Sequence, residues 1–289
     1  MGLWQRARSF LELIKFEHTI FALPFAYLGM LLAEDGWPTW TQFLWITVAM
    51  AAARTLAMSA NRLIDRELDA RNPRTTGRPL ITGAITPATA WAGSAVAVAV
   101  LAVAAYALGP LPLRLLPGAL LFLLGYPFAK RFTVFSHLIL GATDGLAPLG
   151  AWAAIRGSLT APGDLPAWVL WLAVTLWIGG FDVIYACQDV DFDRAEGLHA
   201  VPARYGIAAA LRLSALAHAL TTALLVALGL ILSLPWPYWV GLAATGSLLA
   251  YEHAILHPRD LSRLNLAFFK VNGIISLTLF IATVAAVMI

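Results

Sequence analysis

Apolar runs bounded by Gly, Pro or charged residues recur along this chain at roughly 18–34, 41–61, 87–108, 111–127, 134–155, 166–187, 208–233, 236–252 and 264–288. Each approaches the about 20 residues a helix needs to cross a hydrocarbon core, so the pattern predicts about nine transmembrane helices. The run at 111–127 holds Pro117 and Gly118 and the one at 236–252 is short, which leaves tilt or a re-entrant path open for both. Composition agrees, with 60% hydrophobic and 12% charged residues against about 25% charged in soluble domains. Nine spans leave too few of the 289 residues for a separate soluble domain, so residues 1–289 read as one all-α polytopic bundle. Glu12, Lys15, Glu17 and His18 interrupt the first run and no small-residue cleavage pattern follows, so it reads as part of the mature protein. The single cysteine, Cys187, excludes an intramolecular disulfide framework and a cysteine-rich metal site.

Charge sets the orientation. With the N-terminus inside, 16 of the 19 basic residues fall on one side, from Arg6, Arg8 and Lys15 to Arg259, Arg263 and Lys270; Arg114 and Arg156 lie opposite and Arg54 within a helix. That side is expected to be cytoplasmic, and the protein integral to a membrane, read as a bacterial inner membrane. The net charge of +3 then follows from topology and anionic lipid and implies no nucleic acid. Nor does the sequence indicate an obligatory protein partner.

Acidic residues gather on the same side in two clusters, Asp65, Glu67, Asp69 and Asp182, Asp189, Asp191, Asp193, Glu196. Asp65 and Asp69 precede Asp189 and Asp193 by 124 residues with the same i, i+4 spacing, at the ends of the second and sixth helices. An internal repeat of two four-helix units plus a ninth helix is expected, with the site at their interface.

On a helix, Asn61, Asp65 and Asp69 share one face, as do Asp182, Tyr185, Asp189 and Asp193. Carboxylates stacked this way repel unless a cation sits between them, and carboxylate and amide oxygens are the ligands of magnesium, which shares its shell with substrate phosphates. A solvated, charged cap on two helices is the simpler reading of either cluster alone. Arg78 follows the first cluster, Lys130 and Arg131 end the fourth helix, and Arg204 follows the second cluster, which together suits a diphosphate leaving group. Arg66, Arg71, Arg194 and Arg259 read as topology anchors. Arg54 lies seven residues before Asn61, about 10 Å deeper on nearly the same face. An arginine at that depth points to an anionic acceptor held bidentately, or to a structural ion pair with Asp144 or Glu17. Asp144 would orient a cation or the acceptor hydroxyl, or act as a buried hydrogen-bond partner. His137 reads as interfacial. Tyr126 and Tyr185 lie where a ring could face a carbocation.

These residues carry a resemblance. Asn61-xxx-Asp65-xxx-Asp69 with Asn72-Pro73-Arg74-Thr75 and Arg78-Pro79, and Tyr185-Ala-xx-Asp189-xxx-Asp193 with Gly197 and Pro202, resemble the two aspartate-rich motifs of the UbiA superfamily of intramembrane aromatic prenyltransferases. The likeness extends to Lys130-Arg131 and Asn272. It implies a nine-helix bundle, a cytoplasm-facing cavity, magnesium-bound polyprenyl diphosphate, a lateral opening to lipid and an aromatic acid acceptor of the 4-hydroxybenzoate type, or dihydroxynaphthoate in menaquinone synthesis. Asn61, Asp65, Asp69, Asp189 and Asp193 would hold Mg2+; Arg78, Lys130, Arg131 and Arg204 would meet the diphosphate; Arg54 would meet the acceptor carboxylate. One departure is Arg62, where many members carry Asp, which removes a possible carboxylate. An intramembrane phosphotransferase fits less well, because the acids are split over distant helices. A secondary transporter also fits less well, because they gather at one membrane face rather than the midplane.

Overall fold

The computed structural model describes the backbone of residues 3–14 and 19–289, with side chains from Arg8 to Ile14 and from Leu23 onward. The stretch 15–18, expected to meet the pocket and holding Glu17, lies outside the described residues. The described chain forms thirteen α-helices and no strand, only an isolated bridge between His257 and Asp260. They are α1 (Leu3–Leu13), α2 (Thr19–Glu34), α3 (Trp40–Ile64), α4 (Arg66–Arg71), α5 (Pro87–Leu108), α6 (Pro110–Ala129), α7 (Ser136–Arg156), α8 (Leu165–Ala186), α9 (Val190–Ala195), α10 (Val201–Tyr205), α11 (Ile207–Ile231), α12 (Trp236–Ala254) and α13 (Asn272–Val287).

Every apolar run of the sequence is helical, but the count of nine crossings is not carried over. Among the described residues seven segments are long and apolar enough to span: α3, α5, α6, α7, Pro162–Ala195 with α8 at its centre, α11, and Leu266–Val287 ending in α13. The apolar part of α2 described is Leu23–Glu34, short of a full crossing, while α12 is diluted by Gly241, Thr245, Gly246, Ser247, Glu252 and His253. The run at 111–127 is one continuous helix through Pro117, so the bundle gains a full-length α6 there.

Local chemistry starts these helices. Thr39 caps α3 by accepting from the Gln42 amide while the Gln42 side chain accepts from the Thr39 N–H, which satisfies two donors the first turn would leave unpaired. Gly109, at φ 121°, turns α5 into α6, with Pro110 at the first position of the new helix. Helices α3, α5 and α6 pack as one group and α8, α11, α12 and α13 as another, with α2 and α7 between them. The core between the groups holds Leu28, Trp152, Leu170, Trp177, Ile275 and Leu279, whereas Val96, Val103, Leu121, Leu220 and Leu277 point outward. Apolar side chains on the outside are what a lipid-facing surface requires.

Glycine allows the closest helix contacts, because in lipid packing rather than water exclusion holds helices together. A Cβ at Gly29 would fall 2.2 Å from the Pro148 carbonyl oxygen of α7, and one at Gly141 would fall 2.1 Å from the Thr175 oxygen of α8. Gly141→Ala should therefore separate α7 from α8 and cost about 1–3 kcal/mol, read as a lower melting temperature in detergent. Gly125→Ala, whose Cβ meets nothing within 4 Å, is the control expected to melt like the wild type.

Candidate active site

The two acidic motifs are built on matching bends. Helix α3 stops at Ile64, Asp65 takes φ −89° and ψ 6°, and α4 begins at Arg66. Helix α8 runs through a single 3-10 turn, Cys187–Asp189, where Asp189 takes φ −106° and ψ 11° before α9 begins. Both residues sit in the bridge region typical of turns and functional sites. In each half one aspartate therefore occupies the bend and its i+4 partner, Asp69 or Asp193, is buried in the short helix that follows. The Asp65 carbonyl still accepts from the Asp69 amide at 2.8 Å, so the i, i+4 register survives the bend.

The bends converge on one cavity of about 520 Å³, lined by Asn61, Asp65, Asp69, Asp189, Asp193, Lys130, Arg78, Arg54, Asp144, Tyr126 and Tyr185 from the expected set. Each half places acids against cations of the other elements. Asp65 accepts from Lys130 Nζ at 2.6 Å and Arg131 Nη2 at 3.0 Å, and Arg131 also donates to the Ile64 carbonyl at 2.8 Å. That bond satisfies an oxygen the end of α3 would leave bare. Asp69 pairs with Arg78. Asp193, buried though it is, makes no side-chain hydrogen bond or ion pair among the described residues. Among the described residues no three His, Cys, Asp or Glu side chains form a ready metal-binding group, since these cations stand between the acids.

Two residues quoted with the first motif but given no role by the sequence complete the site. Asn72 donates to Asp189 Oδ1 at 3.0 Å while its own oxygen accepts from the Arg74 amide, an Asx turn that sets the loop. Arg74 then grips Asp189 with Nε at 2.9 Å and Nη2 at 2.5 Å, and donates to Tyr185 Oη at 3.0 Å. Burial alone would pull the Arg74 guanidinium down, but Asp189, Tyr185 and Asp69 hold it above its ordinary value. An Asn-Pro-Arg run beside an acidic helix end was the available signal.

Other expectations are redrawn. Arg204 is exposed on α10 and does not line the cavity, because that short helix turns its basic end outward. His137, at the second position of α7, is buried within the protein, donates from Nδ1 to Asp182 at 2.6 Å, and accepts at Nε2 from the Val201 amide. Arg71, read as an anchor, joins α4 to α9 through Glu196 at 3.0 Å. Arg54 Nη1 lies 3.9 Å from Asp144, and its buried Nε has no partner among the described residues. Tyr126 donates to the Ala57 carbonyl of α3 at 3.3 Å. Arg62 is buried and reaches the Asn61 amide oxygen at 3.3 Å. The Tyr185 ring lies against Phe268, with centroids 4.3 Å apart.

Fold and cavity together define an integral-membrane helical protein whose polar site is ringed by paired acids and cations. The chain belongs to the UbiA prenyltransferase family, whose model matches residues 22–274. It is 35% identical over 267 residues to a 4-hydroxybenzoate octaprenyltransferase of Cupriavidus necator, covering 89% of this chain and 88% of the relative. It is 32% identical over 283 residues to one of Pseudomonas aeruginosa, covering 97% and 94%. Among solved structures, the apo form of a UbiA homologue from Aeropyrum pernix superposes with a TM-score of 0.86 at 34% identity, over 94% of this chain and 98% of that one. A UbiA homologue from Archaeoglobus fulgidus bound to GPP and Mg2+ shares the fold at a TM-score of 0.70 and 20% identity, over 97% and 100%.

Proposed function

We propose that this chain transfers a polyprenyl group from polyprenyl diphosphate to the ring of a hydroxylated aromatic acid of the 4-hydroxybenzoate type, a step of quinone assembly. Its setting is the bacterial cell membrane, with the cavity mouth on the cytoplasmic side, in keeping with the basic residues gathered there. The observation that carries the reading is the meeting of the two matched bends and the cations Arg74, Arg78 and Lys130 around one cavity whose wall also holds Trp177, Phe181, Phe268 and Phe269.

The donor set fits a hard divalent cation: five oxygen-bearing side chains, Asn61, Asp65, Asp69, Asp189 and Asp193, line one space, and Asp193 is committed to no partner. These residues would hold Mg2+. Bound there, magnesium supplies the positive charge that eases departure of the diphosphate. Lys130, Arg74 and Arg78 donate to the diphosphate oxygens as the C–O bond breaks; Arg131, expected with them, does not line the cavity and instead holds Asp65 and the Ile64 carbonyl. Tyr185 and Tyr126 line the cavity in which the allylic cation would form, and the aromatic wall keeps out water that would quench it. Arg54 orients the acceptor by its carboxylate, and the unpartnered Nε supplies a donor for it.

The direct test is mass spectrometry of products after purified protein is incubated with magnesium, a polyprenyl diphosphate and 4-hydroxybenzoate or dihydroxynaphthoate in parallel. A prenylated aromatic acid is expected; no product with any acceptor overturns the reading. Arg54→Lys should raise KM for the aromatic acid by about 10-fold or more, since an ammonium loses one arm of a charged hydrogen-bonded pair, while KM for the prenyl diphosphate stays near wild type. A purely structural Arg54–Asp144 pair predicts instead a lower melting temperature with both substrates affected alike.

A further inference from the structure

Asp182 stands apart from the other acids of the cavity. Its spacing from Asp189 and Asp193 groups it with them in the sequence, yet its one side-chain partner among the described residues is His137 rather than a cation. The state of that histidine is fixed by geometry. Its Nε2 lies 3.1 Å from the Val201 amide, which can only donate, so Nε2 accepts and the ring proton sits on Nδ1, pointing at Asp182 Oδ2. A neutral imidazole thus holds an anionic carboxylate in place without cancelling its charge. That is how a buried histidine orients an acid or base. Among the described residues Oδ1 of Asp182 makes no hydrogen bond, the side chain is 25% exposed, and the residue lines the cavity, while His137 is 7% exposed and locked between α7, α8 and α10.

Depth in the bundle completes the argument. Asp182 lies seven residues before Asp189 on α8, and His137 lies seven residues before Asp144 on α7. Two helical turns are about 10 Å. The Asp182–His137 pair therefore occupies a level between the acids at the two bends and the deeper pair Arg54–Asp144. An aromatic acid whose carboxylate meets Arg54 and whose ring reaches toward the diphosphate spans this level. Asp144 is turned toward Arg54, and Asp65, Asp69 and Asp189 are engaged by Lys130, Arg131, Arg78 and Arg74.

We propose that Asp182 is the base that removes the ring proton, with His137 as its positioning residue; this rests on the prenyl transfer proposed above. The allylic C–O bond breaks with its electron pair leaving on the diphosphate. A π pair of the ring forms the new C–C bond to the prenyl carbon. Asp182 Oδ1 then takes the hydrogen of the substituted ring carbon as a proton, and the C–H pair restores the aromatic sextet. No oxidant or further reactant is needed.

The experiment compares turnover of wild type, Asp182→Asn and Asp182→Glu with the protio acceptor and with acceptor deuterated at the substituted ring position, alongside both KM values and the melting temperature. The asparagine variant should turn over about 10²-fold more slowly or worse, the usual worth of a positioned base, with both KM values near wild type. Proton loss then limits the rate, so a primary ring isotope effect larger than that of the wild type should accompany it. Asp182→Glu keeps the carboxylate but displaces it, and should be slowed at least tenfold with the same isotope signature. A wild-type rate in either variant, or slowing without a ring isotope effect, overturns the assignment. Wild type is the separating control: if it makes no prenylated acid, the proposed reaction itself fails, independently of Asp182.

Discussion

Asp193→Asn should give a protein that melts like wild type and has lost nearly all its activity. The Asp193 carboxylate has no ion pair or side-chain hydrogen bond, so an amide of the same shape orphans nothing, and folding should not register the change. Catalysis should fall on the order of 10³-fold or more, because a ligand lost from a charge-stabilising site costs several kcal/mol of barrier. Asp65→Asn makes the instructive contrast. Asp65 is 3% exposed and accepts from both Lys130 and Arg131; removing its charge weakens two charged hydrogen bonds at once, a loss of about 1.5–3 kcal/mol. That variant should lose activity and melting temperature together. Treatment with EDTA should silence the wild type, and added magnesium should restore it. Full turnover in EDTA, or a wild-type rate in Asp193→Asn, would remove the two-motif site from the mechanism.

Lys130→Ala should slow turnover by about 10²–10³-fold, the range for deleting one charged or hydrogen-bonding group aimed at developing negative charge in a water-poor site. The loss should fall on the use of prenyl diphosphate and leave KM for the aromatic acid little changed. Its side chain is 33% exposed and its ammonium bonded to Asp65, so it stands at the rim of the acid set rather than beneath it. Arg131 keeps its own bonds to Asp65 and to the Ile64 carbonyl, which should hold the end of α3 in place without Lys130. Unaltered kinetics in a folded Lys130→Ala protein would return the residue to a role in membrane topology.

The acid pairs and the apolar runs were readable in advance because both are local: a run of hydrophobic residues and an i, i+4 spacing survive whatever the rest of the chain does. The bends were not. Neither Asp65 nor Asp189 is flanked by glycine or proline, and the helix breaks there only once Arg131 and Arg74 arrive from other segments to bind what the bend exposes. Arg74 and Asn72 belong to the same blind spot, since their partner lies more than a hundred residues away. His137 near the start of an apolar run looks like an interface residue; only the approach of α8 and α10 makes it a buried link. Arg204 errs in the opposite direction, as proximity in sequence to the second motif did not turn its side chain inward. Asp182 had the right spacing for the acid cluster and the wrong neighbour for it.

The ion pairs within the cavity bear on how the cell comes by this protein. Asp65, Asp69 and Asp189 are each neutralised by cations of the same chain, so the charges that would oppose burial are balanced by the polypeptide as it folds. Insertion into the bilayer and assembly of the helices then require neither the metal nor either substrate. Magnesium scarcity should accordingly lower flux through the reaction while leaving the amount of protein in the membrane unchanged, with a standing pool ready to resume work as soon as the ion returns.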